Sequence, residues 1–203
     1  MLENDLLTLD RQGVVNLVEK AFSDMTPLEV AEHVVAPALR RIGQGWQEGK
    51  VALAQVYMAG SICDEIISNA LPKTTPIEHQ EPRLAVANLE DYHSLGLKIV
   101  TSMLRATGFH VKEYGRQDVR SLGELVKRDQ INILFVSTLM LRSALRVKEL
   151  RRYLKSLGCE LKLVVGGAPF LFDPVLYEKV GADLMGKDAS EAVTIAFSLS
   201  GGD

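Results

Sequence analysis

The chain has 203 residues, of which 47% are hydrophobic and 24% charged, and its formal net charge is −3. This composition is typical of a globular protein with room for one or two domains, and its weakly acidic balance argues against nucleic-acid or membrane-surface partners. Cys63 and Cys159 stand far apart with no CxxC spacing, which argues against a zinc site or a disulfide scaffold. No secretory leader or membrane-spanning run is recognisable, so we expect a cytoplasmic protein.

The first part of the chain, residues 1–71, predicts a small bundle of short helices. Apolar residues recur at helical spacing from Arg11 to Ala21 and again from Val30 to Ile42. Thr26 followed by Pro27 is typical of a helix start, since threonine caps the helix and proline suits its first turn.

Glycine and proline interrupt this helical pattern twice. The glycines Gly43, Gly45 and Gly49 predict a turn, after which a last helix is expected over about 52–70. The segment 72–82 contains three prolines and almost no apolar residue, which is typical of a linker. We therefore predict a helical domain at 1–71, a linker at 72–82 and a second domain at 83–203.

Beyond the linker, short apolar runs alternate with helical segments. Strands are expected at about 84–89, 110–114, 131–136, 161–165 and 182–185. Helices are expected at about 94–107, 122–128, 143–157 and 190–198. This alternation predicts an α/β domain with a parallel, doubly wound sheet of five strands, flavodoxin- or Rossmann-like, in the order 2-1-3-4-5.

Three unusual segments follow strands of this predicted sheet. They are Asp91–Gly96 after strand 1, Ser137–Leu139 after strand 3 and Gly166-Gly167 after strand 4. Ligands of doubly wound sheets bind outside the carboxyl ends of the strands, at the switch point in strand order. The topology therefore brings these segments to one edge.

His93 is the metal-ligand candidate of this edge. A histidine in a loop is often only a surface residue, but Asp91 stands two residues before it and can orient one imidazole nitrogen. No cluster of His, Cys or carboxylates accompanies it, which argues against a site with three or four protein ligands. One histidine suffices where the metal arrives with its other ligands, as in a macrocycle.

The motifs Asp91-x-His93-x-x-Gly96, Ser137-x-Leu139 and Gly166-Gly167, in this order, resemble the cobalamin-binding domain of methionine synthase, carbon-skeleton mutases and corrinoid methyltransferase proteins. The resemblance implies that His93 is the lower axial ligand of cobalt and that Asp91 is its hydrogen-bond partner. Ser143 matches the position of the hydroxyl that completes a His-Asp-Ser relay. The alternative for Ser143 is that it caps the next helix, and both roles are compatible.

The resemblance also assigns the cofactor-binding residues around the ligand. Tyr92, Ser94, Leu95 and Gly96 belong to the ligand loop, while Ser137 and Leu139 hold the nucleotide tail. Gly166 and Gly167 let the backbone approach the displaced base, where a side chain would collide. The alternative for the glycine pair is a plain turn from strand to helix.

Residues 37–49 resemble the helical cap that precedes the cobalamin domain in corrinoid proteins of anaerobic methyltransferase systems. Trp46, Val56 and Tyr57 are candidates to cover the upper face of the corrin, or else they belong to the bundle core. Related light sensors carry Glu-His where Val56-Tyr57 stands here, which argues against a photoreceptor.

The loop departs from the related methyltransferase proteins, which often read Gly-Asp-x-His-Asp-Ile-Gly-Lys-Asn. The differing residues here are Glu90, Ser94, Leu95, Leu97 and Lys98. These differences put the partner enzymes in question.

The resemblance implies a corrinoid carrier that binds cobalamin base-off and His-on, with methylcobalamin as the expected form. It would be a non-catalytic subunit that shuttles a methyl group between partner methyltransferases, with a reductive activator and a second copy of the chain as further candidate partners. One alternative is a cobalamin-dependent sensor, regulatory or storage module. Another is a flavodoxin-like domain that binds no cobalamin.

Overall fold

A computed structural model describes residues 2–70 and 82–201. The chain divides into two compact units, Met1–Lys73 and Thr74–Asp203. The predicted linker 72–82 lies outside the described residues, except for Pro82. Within the described ranges, no helix combines the length and the apolar character that crossing a membrane requires.

The first unit is helical, as the apolar periodicity predicts. Its elements are α1 (Leu2–Leu7), α2 (Arg11–Ala21), α3 (Pro27–Val30), a π-helical turn (Ala31–Val35), α4 (Ala36–Gln47) and α5 (Leu53–Ala70). Thr26 caps α3 reciprocally, because the Glu29 amide donates to its hydroxyl and the Thr26 amide donates to the Glu29 carboxylate. The buried side chains of the first unit include Leu6, Val18, Val35, Ile42 and Ile67.

The turn predicted at the three glycines is wrong for two of them. Helix α4 continues through Gly43 and Gly45, and only Gly49, with φ +72°, lies in the turn that follows. A Cβ atom at Gly45 would come within 2.8 Å of a methyl group of Val51. Glycine at this position therefore lets the chain after the turn pack closely against α4. From sequence spacing alone, a glycine that allows close packing cannot be distinguished from one that ends a helix.

The second unit is the predicted five-stranded parallel sheet. The strands are β1 (Leu84–Leu89), β2 (Val111–Gln117), β3 (Ile133–Ser137), β4 (Lys162–Gly166) and β5 (Leu184–Gly186), in the order β2-β1-β3-β4-β5. The helices are α6 (Leu95–Ala106), α7 (Val119–Asp129), α8 (Leu141–Ser156), α9 (Ala168–Phe172), α10 (Leu176–Val180) and α11 (Ala189–Leu199). The fold class is confirmed.

Strand β1 is buried on both faces. Ala85, Ala87 and Leu89 pack in the core beneath α7 and α8, whereas Leu84 and Val86 pack beneath α6 and α11. A fully buried valine or leucine side chain contributes about 1.5–3 kcal/mol, so this central strand is fixed firmly in the sheet. Its carboxyl end is consequently a rigid base for the loop that follows.

The carboxyl ends of β1, β3, β4 and β5 lie in register with one another. Asn88 of β1 is in register with Ser137 of β3, Ser137 with Gly166 of β4, and Gly166 with Gly186 of β5. The segments that follow β1, β3 and β4 therefore leave the sheet at the same edge. The convergence inferred from topology is confirmed by this register.

Two features after β3 and β4 differ from the expected pattern. Helix α8 begins at Leu141, two residues before the predicted start. The short helices α9 and α10 lie between β4 and β5 and were not predicted. Each has only five residues, too few for a helical period to emerge from the sequence.

Gly167 has φ +109°, and a Cβ atom there would lie 1.8 Å from the carbonyl oxygen of Thr138. We expect Gly167→Ala to lower the free energy of unfolding by more than about 3 kcal/mol, because backbone atoms must move. Gly158→Ala is the matched control, since Gly158 has φ +71° and open space around it. It should cost only about 1 kcal/mol. Urea unfolding of both variants tests this, and equal losses would refute the steric explanation.

Candidate functional site

The loop after β1 holds His93 through the carboxylate of Asp91. Asp91 Oδ1 lies 2.9 Å from His93 Nδ1 and also accepts the His93 backbone amide at 3.1 Å. The Asn88 side-chain amide donates to the His93 carbonyl at 2.8 Å, which ties the loop back to β1. The backbone and the ring of the histidine are thus both fixed, by Asp91 in the loop and by Asn88 in β1.

The second oxygen of Asp91 binds the start of α8. Asp91 Oδ2 accepts the backbone amides of Leu139 at 2.7 Å and Met140 at 2.9 Å. The carboxylate therefore joins the segments that follow β1 and β3, the strands on either side of the switch point. Leu139, assigned to the nucleotide tail from its side chain, contacts Asp91 through its amide.

Asp91 is ionised although it is only 2% exposed. Burial by itself would raise its pKa, but the hydrogen bonds from the His93 ring and from the Met140, Leu139 and His93 amides outweigh burial and lower the pKa to about 2. At neutral pH the group is therefore a carboxylate that accepts hydrogen bonds only. A carboxylate beside Nδ1 favours a proton on that nitrogen, so Nε2 is the ring nitrogen that is suited to bind a metal.

The described ranges, 2–70 and 82–201, contain no group of three or more His, Cys, Asp or Glu side chains that could hold a metal ion. The site therefore offers a single oriented imidazole. Such a site suits a metal whose other ligands belong to a macrocycle.

The remaining loop residues have different surroundings. Tyr92 is 70% exposed, and the Arg116 guanidinium carbon lies 4.0 Å from the centre of its ring. Ser94 precedes α6, and Leu95, the first residue of that helix, is buried. A Cβ atom at Gly96 would lie 2.9 Å from Ser137 Oγ, so α6 and the end of β3 approach closely at this glycine.

Contacts within the protein itself explain why glycine occupies positions 166 and 167. A Cβ atom at Gly166 would come within 3.1 Å of the Gly186 carbonyl oxygen, and Gly167 is the residue before α9. The pair therefore does form the strand-to-helix turn that was the alternative to a cofactor role. Both functions are compatible, because the turn lies at the carboxyl edge.

Ser143 lies inside α8, two positions after its first residue, so the alternative that it caps this helix is wrong. Its hydroxyl donates to the backbone carbonyl of Glu90 at 3.2 Å. Ser143 is therefore connected to the residue before Asp91, and not to the Asp91 carboxylate in the hydrogen bonds of the described residues.

The upper-face candidates belong to the first unit. Trp46, in α4, is 40% exposed, so it does not belong to the bundle core. Val56 is half-buried in α5. The side chain of Tyr57 lies outside the described part of the chain. Their contact with the corrin stays a prediction.

Four polar residues beside the loop were not among the site residues predicted from the sequence. They are Asn88, Glu90, Thr138 and Arg146. Asn88 was detectable as the one polar residue of the buried strand Leu84–Leu89. Asn88 Oδ1 and Thr138 Oγ1 are buried without a hydrogen-bond partner among the residues described. Buried polar atoms are normally paired, so both oxygens are candidates for ligand contacts.

Comparison with known proteins agrees with this geometry. Two family models, each described as a B12 binding domain, match residues 1–70 and 83–194. The chain is 30% identical to dimethylamine corrinoid protein 1 of Methanosarcina mazei, covering 98% of this chain and 94% of that protein. It is 29% identical to monomethylamine corrinoid protein 1 of the same organism, over 98% and 95% of the two chains.

A solved structure has the same fold. The monomethylamine corrinoid protein of Methanosarcina barkeri matches with a TM-score of 0.78 at 24% identity, covering 98% of this chain and 96% of that one. The fold and site thus define a cobalamin-binding protein with a helical unit and a Rossmann-like unit. The chain belongs to the B12-binding family of corrinoid proteins, and its cofactor is cobalamin.

The depressed pKa of Asp91 makes stability depend on pH. The carboxylate favours the folded state fully above its unfolded pKa of 3.8, and this contribution is lost as the pH falls through about 2. We expect Asp91→Asn to reduce the unfolding free energy of the cofactor-free protein by about 2 kcal/mol at pH 7. The difference from wild type should shrink as the pH falls from 4 towards 2.

Urea unfolding at several pH values measures this difference. Asp118→Asn is the matched control, because Asp118 is exposed and accepts two backbone amides at the start of α7. Asparagine caps a helix as well as aspartate does, so this variant should change little. A pH-independent loss in Asp91→Asn would contradict the assignment.

Proposed function

We propose that this protein carries a methyl group on the cobalt of bound cobalamin between partner methyltransferases, with His93 as the lower axial ligand. The observation that carries the proposal is the single imidazole that Asp91 orients at the carboxyl edge of β1. Membership of the family supports a role in carrying a corrinoid, and the geometry of the site supports His93 as the ligand of cobalt.

The residues at this edge fit cobalamin. An imidazole nitrogen is a suitable donor for cobalt, and one donor is enough because the corrin ring supplies the others. Asn88 Oδ1 and Thr138 Oγ1, at the ends of β1 and β3, are buried acceptors that a polar cofactor can satisfy. The glycines at 96, 166 and 167 keep side chains away from the same edge.

When bound, cobalamin supplies a cobalt centre that can take up a methyl group and release it to an acceptor. The chain's own residues hold and orient the cofactor. His93 would bind the cobalt through its imidazole, and ionised Asp91 would keep the imidazole proton on Nδ1. Ser137, Leu139, Gly166 and Gly167 would surround the nucleotide tail. A proton relay through Asp91 and Ser143 stays a prediction.

The names of the relatives support one class of methyl donor. Proteins named for dimethylamine and for monomethylamine are almost equally similar to this chain, at 30% and 29% identity. Identity therefore favours a methylated amine as the donor without selecting one. Methyltransferases are the proposed partners, and a reductive activator and a homodimer stay predictions, as does the cytoplasmic location.

Ligation by His93 is tested by absorbance spectroscopy of the protein reconstituted with methylcobalamin. We expect His93→Ala to shift the spectrum of the bound cofactor and to weaken binding by at least about tenfold. His110→Ala is the control, because His110 precedes β2 at the opposite edge of the sheet. An unchanged His93→Ala spectrum would remove the ligand role.

Methyl transfer is tested with the protein reconstituted with cobalamin that carries no methyl group and reduced chemically to cobalt(I), together with monomethylamine or dimethylamine and the corresponding methyltransferase purified separately. We expect the amount of methylated cofactor to rise only when protein, amine and enzyme are all present. Binding of cobalamin without any methylation would contradict the carrier role and favour the storage or sensor alternative.

A further inference from the structure

Glu90, directly before Asp91, has an unusual backbone conformation. Its φ is +51°, in the left-handed region where residues other than glycine are uncommon. A side chain disfavours this conformation because its Cβ atom crowds the backbone. Glu90 must therefore be held in place by its surroundings, and the conformation determines how Asp91 and His93 leave the strand.

Three contacts hold Glu90. Its amide donates to the Gln117 carbonyl at 2.8 Å, and its own carbonyl accepts the Ser143 hydroxyl at 3.2 Å. Its carboxylate receives the Arg146 guanidinium in a two-pronged ion pair, with Arg146 Nε 3.1 Å from both oxygens and Nη2 3.0 Å from Oε1. Such paired geometry is stronger and more directional than a single contact.

Helix α8 provides most of these contacts from one face. Ser143 and Arg146 are three residues apart, so they lie on the same side of the helix. The amides of Leu139 and Met140, just before α8, bind the Asp91 carboxylate. The first turns of α8 and the residues just before it thus hold both Glu90 and Asp91. They bind the carbonyl and the carboxylate of Glu90, and the carboxylate of Asp91.

We infer that the Glu90–Arg146 ion pair is a positioning device that keeps the Asp91–His93 loop in its ligating conformation. This inference rests on the proposed function of His93. Without the ion pair, the strained turn can relax and the loop populates other conformations. A ligand that binds one conformation then loses affinity in proportion to the population lost.

The ion pair is well placed for this role. The side chain of Glu90 is 23% exposed and that of Arg146 is 37% exposed, so the pair is partly shielded from water. Arg146 also pairs with Glu149 one turn further along α8, which limits the guanidinium to this position. Arg142, on the same helix, is exposed and makes no ion pair among the described residues, which makes it a matched control.

The affinity test uses the purified protein and methylcobalamin. We expect Glu90→Gln and Arg146→Gln each to weaken binding about threefold to tenfold, somewhat above the range of exposed pairs. In both variants the absorbance spectrum should show a larger fraction of bound cofactor whose cobalt is not ligated by His93. Arg142→Gln should match wild type. Wild-type affinity and spectrum in Glu90→Gln and Arg146→Gln would overturn the inference.

The side chain at position 90 gives an ordered series. Glu90→Ala should bind cobalamin worst, because alanine keeps the cost of positive φ and loses the ion pair. Glu90→Gly should lose least, because glycine adopts positive φ freely. Arg146→Gln should add little in the Glu90→Gly background, since its partner is gone. Equal affinities across this series would contradict the inference.

Amide hydrogen exchange in the cofactor-free protein separates this inference from the proposed function. The amides of His93, Leu139 and Met140, which bind Asp91, should exchange about threefold to tenfold faster in Arg146→Gln. The amides of Leu150 and Leu154, deeper in α8, should not change. If both groups accelerate equally, Arg146 only stabilises the fold and the inference fails. If wild type binds no cobalamin, the proposed function fails, whereas the exchange rates still decide whether the ion pair orders the loop.

Discussion

The buried carboxylate of Asp91 is the interaction on which the site depends. Burial of a charge is unfavourable, and here it is offset by hydrogen bonds from the His93 ring, the His93 amide and the amides of Leu139 and Met140. The same bonds orient the imidazole and attach the loop to α8. One charged group thereby orients the imidazole of His93 and joins the segments that follow β1 and β3.

The sheet makes this arrangement possible. Strands β1 and β3 are neighbours and end in register, so the segments after them meet although Asp91 and Leu139 are far apart in sequence. The inward-facing apolar residues of β1 fix the strand on both faces. A rigid strand end lets a short loop hold a side chain accurately, which is what a metal ligand requires.

Helix α8 contributes more than packing. The related methyltransferase motif often has glycine where this chain has Glu90, and the positive φ at this position explains why glycine suits it. In this chain the glutamate is accommodated by Ser143 and Arg146, which are spaced to face the loop. A departure from the motif that looks unfavourable in the sequence is thus accompanied by contacts that only the folded chain reveals.

The sequence by itself determined the alternation of strands and helices, because buried strands and helices have distinct periods, and it pointed to the pair Asp91 and His93, because the two residues are only two positions apart. The strand order 2-1-3-4-5 came from the doubly wound fold class, and the structure has it. Prediction from the sequence misplaced the break at Gly43 and Gly45 and missed α9 and α10, since a glycine inside a helix and a five-residue helix leave no periodic signal. Only the tertiary structure decided that Ser143 binds the Glu90 carbonyl and that Arg146 holds the Glu90 carboxylate. Those contacts join residues more than fifty positions apart, and no local pattern encodes such a distance.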